Sequence, residues 1–346
     1  MPALIVASHR ARLMESARRA YRNPAVASNI FGRGGLHGGL PSVAGHIDSE
    51  PTPSYVPARE TIKMIPSPIA SVNPTVSVVT VVKNGAATIR DCIESVREQN
   101  YPVEHVFVDS ASNDSTMDII RQHASETSRT VSEPDDGIYD AMNKGISLTT
   151  GEIVGTLNAD DFYANPRVVS AVAEVFRDAR VDACYGNLIY VDRKRSDIVL
   201  RDWRSKPVSD RLLYCGWMPP HPTLFVRRRV YEQLGVFRTD LGSAADYELT
   251  LRFFLKHHIR SVYLPLLLVV MRAGGASNAT LKNRLMVNYW VYRAWRINGL
   301  KPKPWTMPAR LFSKFGQYFR GRSSVSGTEN WYRPPVQRSQ PDGNTQ

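Results

Sequence analysis

Val76-Ser-Val-Val-Thr-Val-Val82 is a β-branched run bounded by Pro74 on one side and Asn84-Gly85 on the other. A run without polar alternation reads as a strand buried on both faces, the kind found in parallel sheets. Ile89, Cys92, Ile93 and Val96 follow at helical spacing, which predicts an amphipathic helix over 86–99, stopped by Asn100-Tyr-Pro102. The alternation continues with strands at 105–109, 130–133 and 153–158 and helices at 115–124 and 140–148. Four strands and three helices in this order predict an α/β domain with a mostly parallel sheet and helices on both faces. Ligands of such sheets bind at the carboxyl ends of the strands.

Those ends are polar. They read Lys83-Asn84-Gly85, then Asp109-Ser-Ala-Ser-Asn-Asp114, then Glu133-Pro-Asp-Asp136-Gly137, then Asn158-Ala-Asp160-Asp161. One such acid is ordinarily a turn or cap residue. Several on one sheet edge repel one another unless a cation or a donor-rich ligand compensates. Asp160 and Asp161 are hard oxygen ligands suited to Mg²⁺ or Mn²⁺. No glycine-rich phosphate loop follows the first strand, so neither a dinucleotide-binding nor a P-loop reading has support.

Outward from this core the composition changes. The chain has 346 residues and a formal net charge of +12. Residues 1–73 hold 8 basic and 4 acidic groups, and residues 299–346 hold 8 and 2. The middle is therefore nearly neutral, which argues against a nucleic-acid-binding module; no nucleic-acid partner is expected. Residues 24–75 are rich in Gly, Pro and Ser and read as a linker or disordered arm. The N-terminus superficially resembles an organelle transit peptide but has no continuous apolar region, so a secretory signal is not expected. Cys92, Cys184 and Cys215 are too few and scattered for a disulfide framework, which suits a reducing, cytoplasmic setting. No apolar run is long enough to span a membrane. After 300, Lys301, Lys303, Trp305, Arg310, Phe312, Lys314, Phe315, Tyr318, Phe319 and Arg320 interleave cations with aromatic rings, as an anionic membrane surface would require.

The segments Val-Ser-Val-Val-Thr-Val-Val-Lys-Asn, Val-Asp-Ser-Ala-Ser-Asn-Asp-Ser-Thr, Asp-Asp-Gly-Ile-Tyr-Asp-Ala-Met-Asn-Lys-Gly and Gly-Glu-Ile-Val-Gly-Thr-Leu-Asn-Ala-Asp-Asp stand in this order. Together they resemble the family 2 inverting glycosyltransferases of GT-A fold, and among them bacterial enzymes of exopolysaccharide, lipopolysaccharide or glycolipid assembly. The resemblance covers about residues 74–275. It implies one Rossmann-like nucleotide-binding domain at 74–278 and leaves the ends of the chain unexplained; composition reads those as a disordered or weakly ordered basic arm at 1–73, a helical basic-aromatic extension at 279–320 and a disordered tail at 321–346. It implies a nucleotide-diphospho-sugar donor and a saccharide or lipid-linked acceptor, handled in the cytoplasm or at the inner face of the cell membrane.

The resemblance also implies roles for single residues. Thr80, Val82 and Asn84 end the first strand, where family members hold the nucleotide. Asp109 matches the carboxylate that bonds base or ribose. Asp136 and Lys144 line the donor pocket, and Asp140 either joins them or caps the third helix. Asn158, Asp160 and Asp161 match the metal motif, with Asn in place of the usual first Asp. His221, between two prolines, is placed near the metal, and Arg272 near the diphosphate. Trp217 is placed on the acceptor side or in support of it.

Asp246-Tyr247-Glu248 matches the motif holding the catalytic base, with Asp246 as the base, Glu248 its competitor and Tyr247 in support. An acceptor hydroxyl becomes nucleophilic as such a carboxylate removes its proton. A hydrolase would instead need two facing carboxylates. The competing readings are a nucleotide-sugar-binding protein without catalysis and a nucleic-acid-binding protein.

Overall fold

The computed structural model describes residues 73–274 and 281–313. The basic arm, the segment containing Gly275 and Ser277, and everything from Lys314 onward lie outside the described residues. The alternation read from the sequence is present: β1 (Val76–Val82), α1 (Ile89–Arg97), β2 (Val103–Asp109), α2 (Thr116–His123), β3 (Arg129–Ser132), α3 (Ile138–Leu148) and β4 (Ile153–Thr156). β1 pairs in parallel with β2 and β4, and β2 with β3. Every residue of β1 is buried, as a central strand requires.

The second half completes a nine-stranded sheet. It contains β5 (Phe162–Tyr163), α4 (Val168–Phe176), β6 (Ala183–Val191), β7 (Val199–Trp203), α5 (Asp210–Tyr214), β8 (Phe225–Arg227), α6 (Arg228–Leu234), α7 (Ala245–Thr250) and β9 (Ser261–Arg272). The order is β3-β2-β1-β4-β8-β6-β9-β5, with β7 paired to β6. β8 runs antiparallel to β4 and to β6, whereas β6 and β9 are parallel. β6 and β9 thus end on one edge, with Val191 opposite Arg272.

Side-chain alternation divides the interior. Val76, Val78 and Val82 face a core built from α1, α2 and α4, while Val79 and Val81 face one that includes α3 and α7. The second core also contains Val291, Ala294 and Trp295 of α8 (Leu281–Ile297), all fully buried. α8 is therefore part of the body of the domain, and residue 278 is not a packing boundary. A further helix, α9 (Thr306–Ser313), follows.

The Arg227-Arg228-Arg229 run is partly interior. The Arg227 guanidinium is buried, donates to the carbonyls of Val181, Phe176 and Asp178, and pairs with Glu152. Arg229 pairs with Asp182 at 2.6 Å.

Candidate active site

The carboxyl edge of the parallel half gathers the residues singled out from the sequence. Asp109 ends β2 fully buried, its carboxylate accepting from Ser112 N (3.0 Å), Ser112 Oγ and Ser132 Oγ (2.6 Å). Asn84 adopts φ +52° and links two loops: its N–H donates to Ser112 Oγ, and its Oδ1 accepts from Asn113 N. Val82 packs in the core above α1. Thr80 faces the same layer, fully buried, with its hydroxyl 2.8 Å from His105 Nε2. Thr80 therefore acts on the interior of the sheet.

Before α3, Asp140 is not the cap. Gly137 takes that position at φ +117°, and Asp140 lies in the first helical turn, where its Oδ2 accepts from Asp136 N at 3.1 Å. Asp136 itself is exposed. Lys144 Nζ reaches Glu133 (3.0 Å), Asp140 (3.4 Å) and the Pro134 carbonyl (2.8 Å). It thereby braces the β3–α3 loop.

Beyond β4 the Asn158–Asp161 turn closes with Asp161 N donating to Asn158 O. Asn158 Nδ2 donates to Asp161 Oδ2 at 2.9 Å. The remaining oxygens, Asn158 Oδ1 and Asp161 Oδ1, are buried and have no partner. Burial, and then the adjacent Asp160 charge, raise the Asp161 pKa well above the ordinary carboxylate value. Two orphaned oxygens, one of them on Asp161, beside the Asp160 carboxylate are hard donors of the kind that fits a Mg²⁺-type ion, which takes one or two carboxylates and draws other ligands from substrate phosphates.

His221 does not join them. Among the described residues no three His, Cys, Asp or Glu side chains come together as a metal cluster. The His221 ring instead stands edge-on to Phe237, centroids 5.6 Å apart. Burial lowers its pKa, and the charge of Asp246 opposes that shift. Arg272 is likewise committed elsewhere. It is buried over the Phe162 ring, donates to the Asp160 carbonyl at 3.1 Å and pairs with Asp91 of α1.

Asp246 lies in the first turn of α7 and remains half-exposed, with Oδ1 accepting from Tyr247 N at 2.7 Å. Tyr139, from the first turn of α3, lies within hydrogen-bonding reach of this carboxylate. Burial, followed by the Asp246 charge, pushes the Tyr139 phenol well above its ordinary pKa. Glu248 is different. It is buried, receives Nε and Nη2 of Arg252 at 3.0 and 2.9 Å, and accepts from Asn298 Nδ2 at 3.0 Å. Tyr247 is buried with its hydroxyl accepting from Trp295 Nε1 at 3.1 Å, and Trp217 packs edge-on to Tyr185.

Two residues near Asp246 were not among the sequence candidates for the site. Tyr139 was visible only as part of the Gly-Ile-Tyr-Asp segment. Arg310 was visible only as one cation of the C-terminal stretch. Its guanidinium lies 5.5 Å from the centre of the Tyr247 ring and donates to Asn288 Oδ1 at 3.1 Å.

A family model described as Glycosyl transferase family 2 matches residues 77–235. A Mycobacterium tuberculosis protein described as an uncharacterized glycosyltransferase is 32% identical over 187 residues, 52% of this chain and 68% of that protein. A Mycobacterium bovis protein named PGL/p-HBAD biosynthesis glycosyltransferase is 28% identical over 222 residues, 62% of this chain and 83% of that protein. The crystal structure of S. aureus TarS in complex with UDP-GlcNAc superposes with a TM-score of 0.48 at 19% identity, over 69% of this chain and 79% of that one.

Proposed function

Because the chain belongs to glycosyl transferase family 2, we propose that it moves a glycosyl unit from a nucleoside-diphosphate sugar to an acceptor hydroxyl, inverting the anomeric carbon. The observation that carries this reading is the contrast between two neighbouring carboxylates. Glu248 is buried and closed off by Arg252 and Asn298, whereas Asp246 is half-exposed beside Tyr139 and His221. One open carboxylate is what deprotonation of an attacking hydroxyl needs.

In this reading Asp246 takes the acceptor proton, and Tyr247 N–H holds one of its oxygens in place. The polar edge formed by Asn84, Asp109 and Ser112 receives the nucleoside. A Mg²⁺ or Mn²⁺ ion held by Asp160 and Asp161, with Asn158 beside it, would supply positive charge to the departing diphosphate. Arg272 keeps the Asp160–Asp161 turn in position through the Asp160 carbonyl.

The acceptor is taken to be a saccharide or lipid-linked saccharide, in line with the relative named for PGL/p-HBAD biosynthesis. Work at a membrane surface accords with the exposed Met286, Tyr289, Tyr292 and Trp305 and the neighbouring Arg296, Lys301 and Lys303.

Asp246→Asn keeps the shape and removes the base. It is expected to lower transfer by about 10²- to 10⁴-fold while binding of UDP or GDP is retained. Full transfer activity in this variant would overturn the assignment. Asn158, where an acid is usual, favours one other reading, a nucleotide-sugar-binding protein without turnover. Nucleotide binding by the wild-type chain with no transfer to any acceptor pool would establish that reading instead.

A further inference from the structure

The β6–β7 turn carries three consecutive cations, Arg193-Lys194-Arg195, at the edge where β6 and β9 end together. The turn is a built feature. Asp192 Oδ1 accepts from the backbone N–H groups of Lys194 and Arg195, both at 2.9 Å. Asp192 N donates to the Ile198 carbonyl, and Ala273 N to that of Val191. The backbone of the turn is thus tied to the start of the segment that follows β9.

Arg193 points from this turn to the Asn158–Asp161 motif. Its Nη1 lies 3.9 Å from Asp160 Oδ2, and its side chain is 52% exposed. Its Cδ also lies alongside Gly274, 3.8 Å from where a Cβ would stand. The guanidinium therefore sits between the proposed cation-binding carboxylate and the backbone just beyond β9.

Arg272, the residue expected to meet a diphosphate, cannot readily leave its place. It is buried, and it spans Asp91, the Asp160 carbonyl and the Phe162 ring. Among the described residues, Arg193 makes one long ion pair, with Asp160. An exposed pair of this length is worth little and exchanges partners cheaply. An arginine fork matches phosphate oxygens better than it matches one distant carboxylate.

The geometry points to Arg193 as a binding residue for the diphosphate of the donor. Without donor it offsets the charge of Asp160. With donor present, its guanidinium turns to the phosphate oxygens and leaves the carboxylate to its own ligand. Lys194 and Arg195 add long-range attraction for the same anion. This assignment rests on the proposed function, since it takes a nucleoside-diphosphate sugar as the ligand.

The test compares nucleoside diphosphates with the corresponding monophosphates, UDP against UMP and GDP against GMP, by calorimetry without acceptor. Arg193→Gln should weaken binding of the diphosphate that the wild type prefers by about tenfold. It should leave monophosphate binding and the melting temperature of the unliganded chain unchanged, and Arg193→Lys should recover part of the loss. Unchanged diphosphate affinity, or an equal loss for mono- and diphosphate, overturns the assignment alone. A wild-type chain that binds neither diphosphate overturns the proposed function together with it.

Discussion

Asp246 and Glu248 stand two positions apart on one short helix and meet different surroundings. The motif alone makes them interchangeable, since both are acids flanking Tyr247. Arg252 at the next helical turn hints at the difference, but Asn298 lies fifty residues further on, and only the fold brings it to Glu248. The strand-end acids Asp109, Asp160 and Asp161 were legible because chain order puts them on one edge. The commitment of Arg272 was not legible, because its partner Asp91 belongs to α1 and nothing local links the two.

His105 supplies a test at this scale. It is buried on β2 against Thr80, and burial lowers its pKa to about 3. Below its ordinary value of about 6.5 the unfolded chain takes up a proton that the folded protein refuses. Stability therefore falls as pH drops from there towards about 3, at up to about 1.4 kcal/mol per pH unit. In urea melts between about pH 6 and 4, His105→Gln should reduce that slope. Part of it should remain, because burial depresses His221 in the same sense. An unaltered slope would assign the effect to other groups.

At the scale of elements, the two C-terminal helices rest on two glycines. At Gly242, with φ +48°, an added Cβ would stand 2.5 Å from the Trp290 indole of α8. At Gly216, with φ +72°, it would meet Arg310 of α9, including the backbone Cα at 3.0 Å. Both glycines flank site segments, the first before Asp246 and the second before Trp217. Gly242→Ala and Gly216→Ala are each expected to cost about 1–3 kcal/mol in urea unfolding. Gly299→Ala is the control, since φ is +69° there with nothing within 4 Å. It should cost less; equal losses at all three positions would mean that backbone strain alone matters. The helix–strand alternation was readable from periodicity, whereas β5, β7 and β8 were not. With two, five and three residues they carry too little pattern, and their places depend on partners far along the chain.

For the molecule as a whole, the charge reading separates from the domain reading. α8 contributes Trp295 to the core and bonds Tyr247 and Asp240, and Asn298 just after it bonds Glu248, so packing continues past the expected limit at 278. The same C-terminal region still presents exposed Tyr289, Tyr292 and Trp305 beside cations. Among the described residues no helix is long and apolar enough to cross a membrane. The exposed rings beside cations make surface association a form of membrane contact to test. The chain should sediment with phosphatidylglycerol vesicles and not with phosphatidylcholine vesicles, and Tyr289→Ser with Trp305→Ser should weaken that binding several-fold. Equal behaviour toward both lipids would remove the electrostatic part of the idea.

The segment that secures α7 comes late in the chain, and this orders events during synthesis. The carboxylate of Asp246 is made well before Trp295 and Asn298, the residues that hold its neighbours. A nascent chain that has reached β9 has the polar strand-end edge but no anchor for α7, the helix bearing Asp246. On the proposed function, competence for transfer is thus deferred until residue 298 has left the ribosome and docked, and a prematurely terminated product would sequester donor without consuming it.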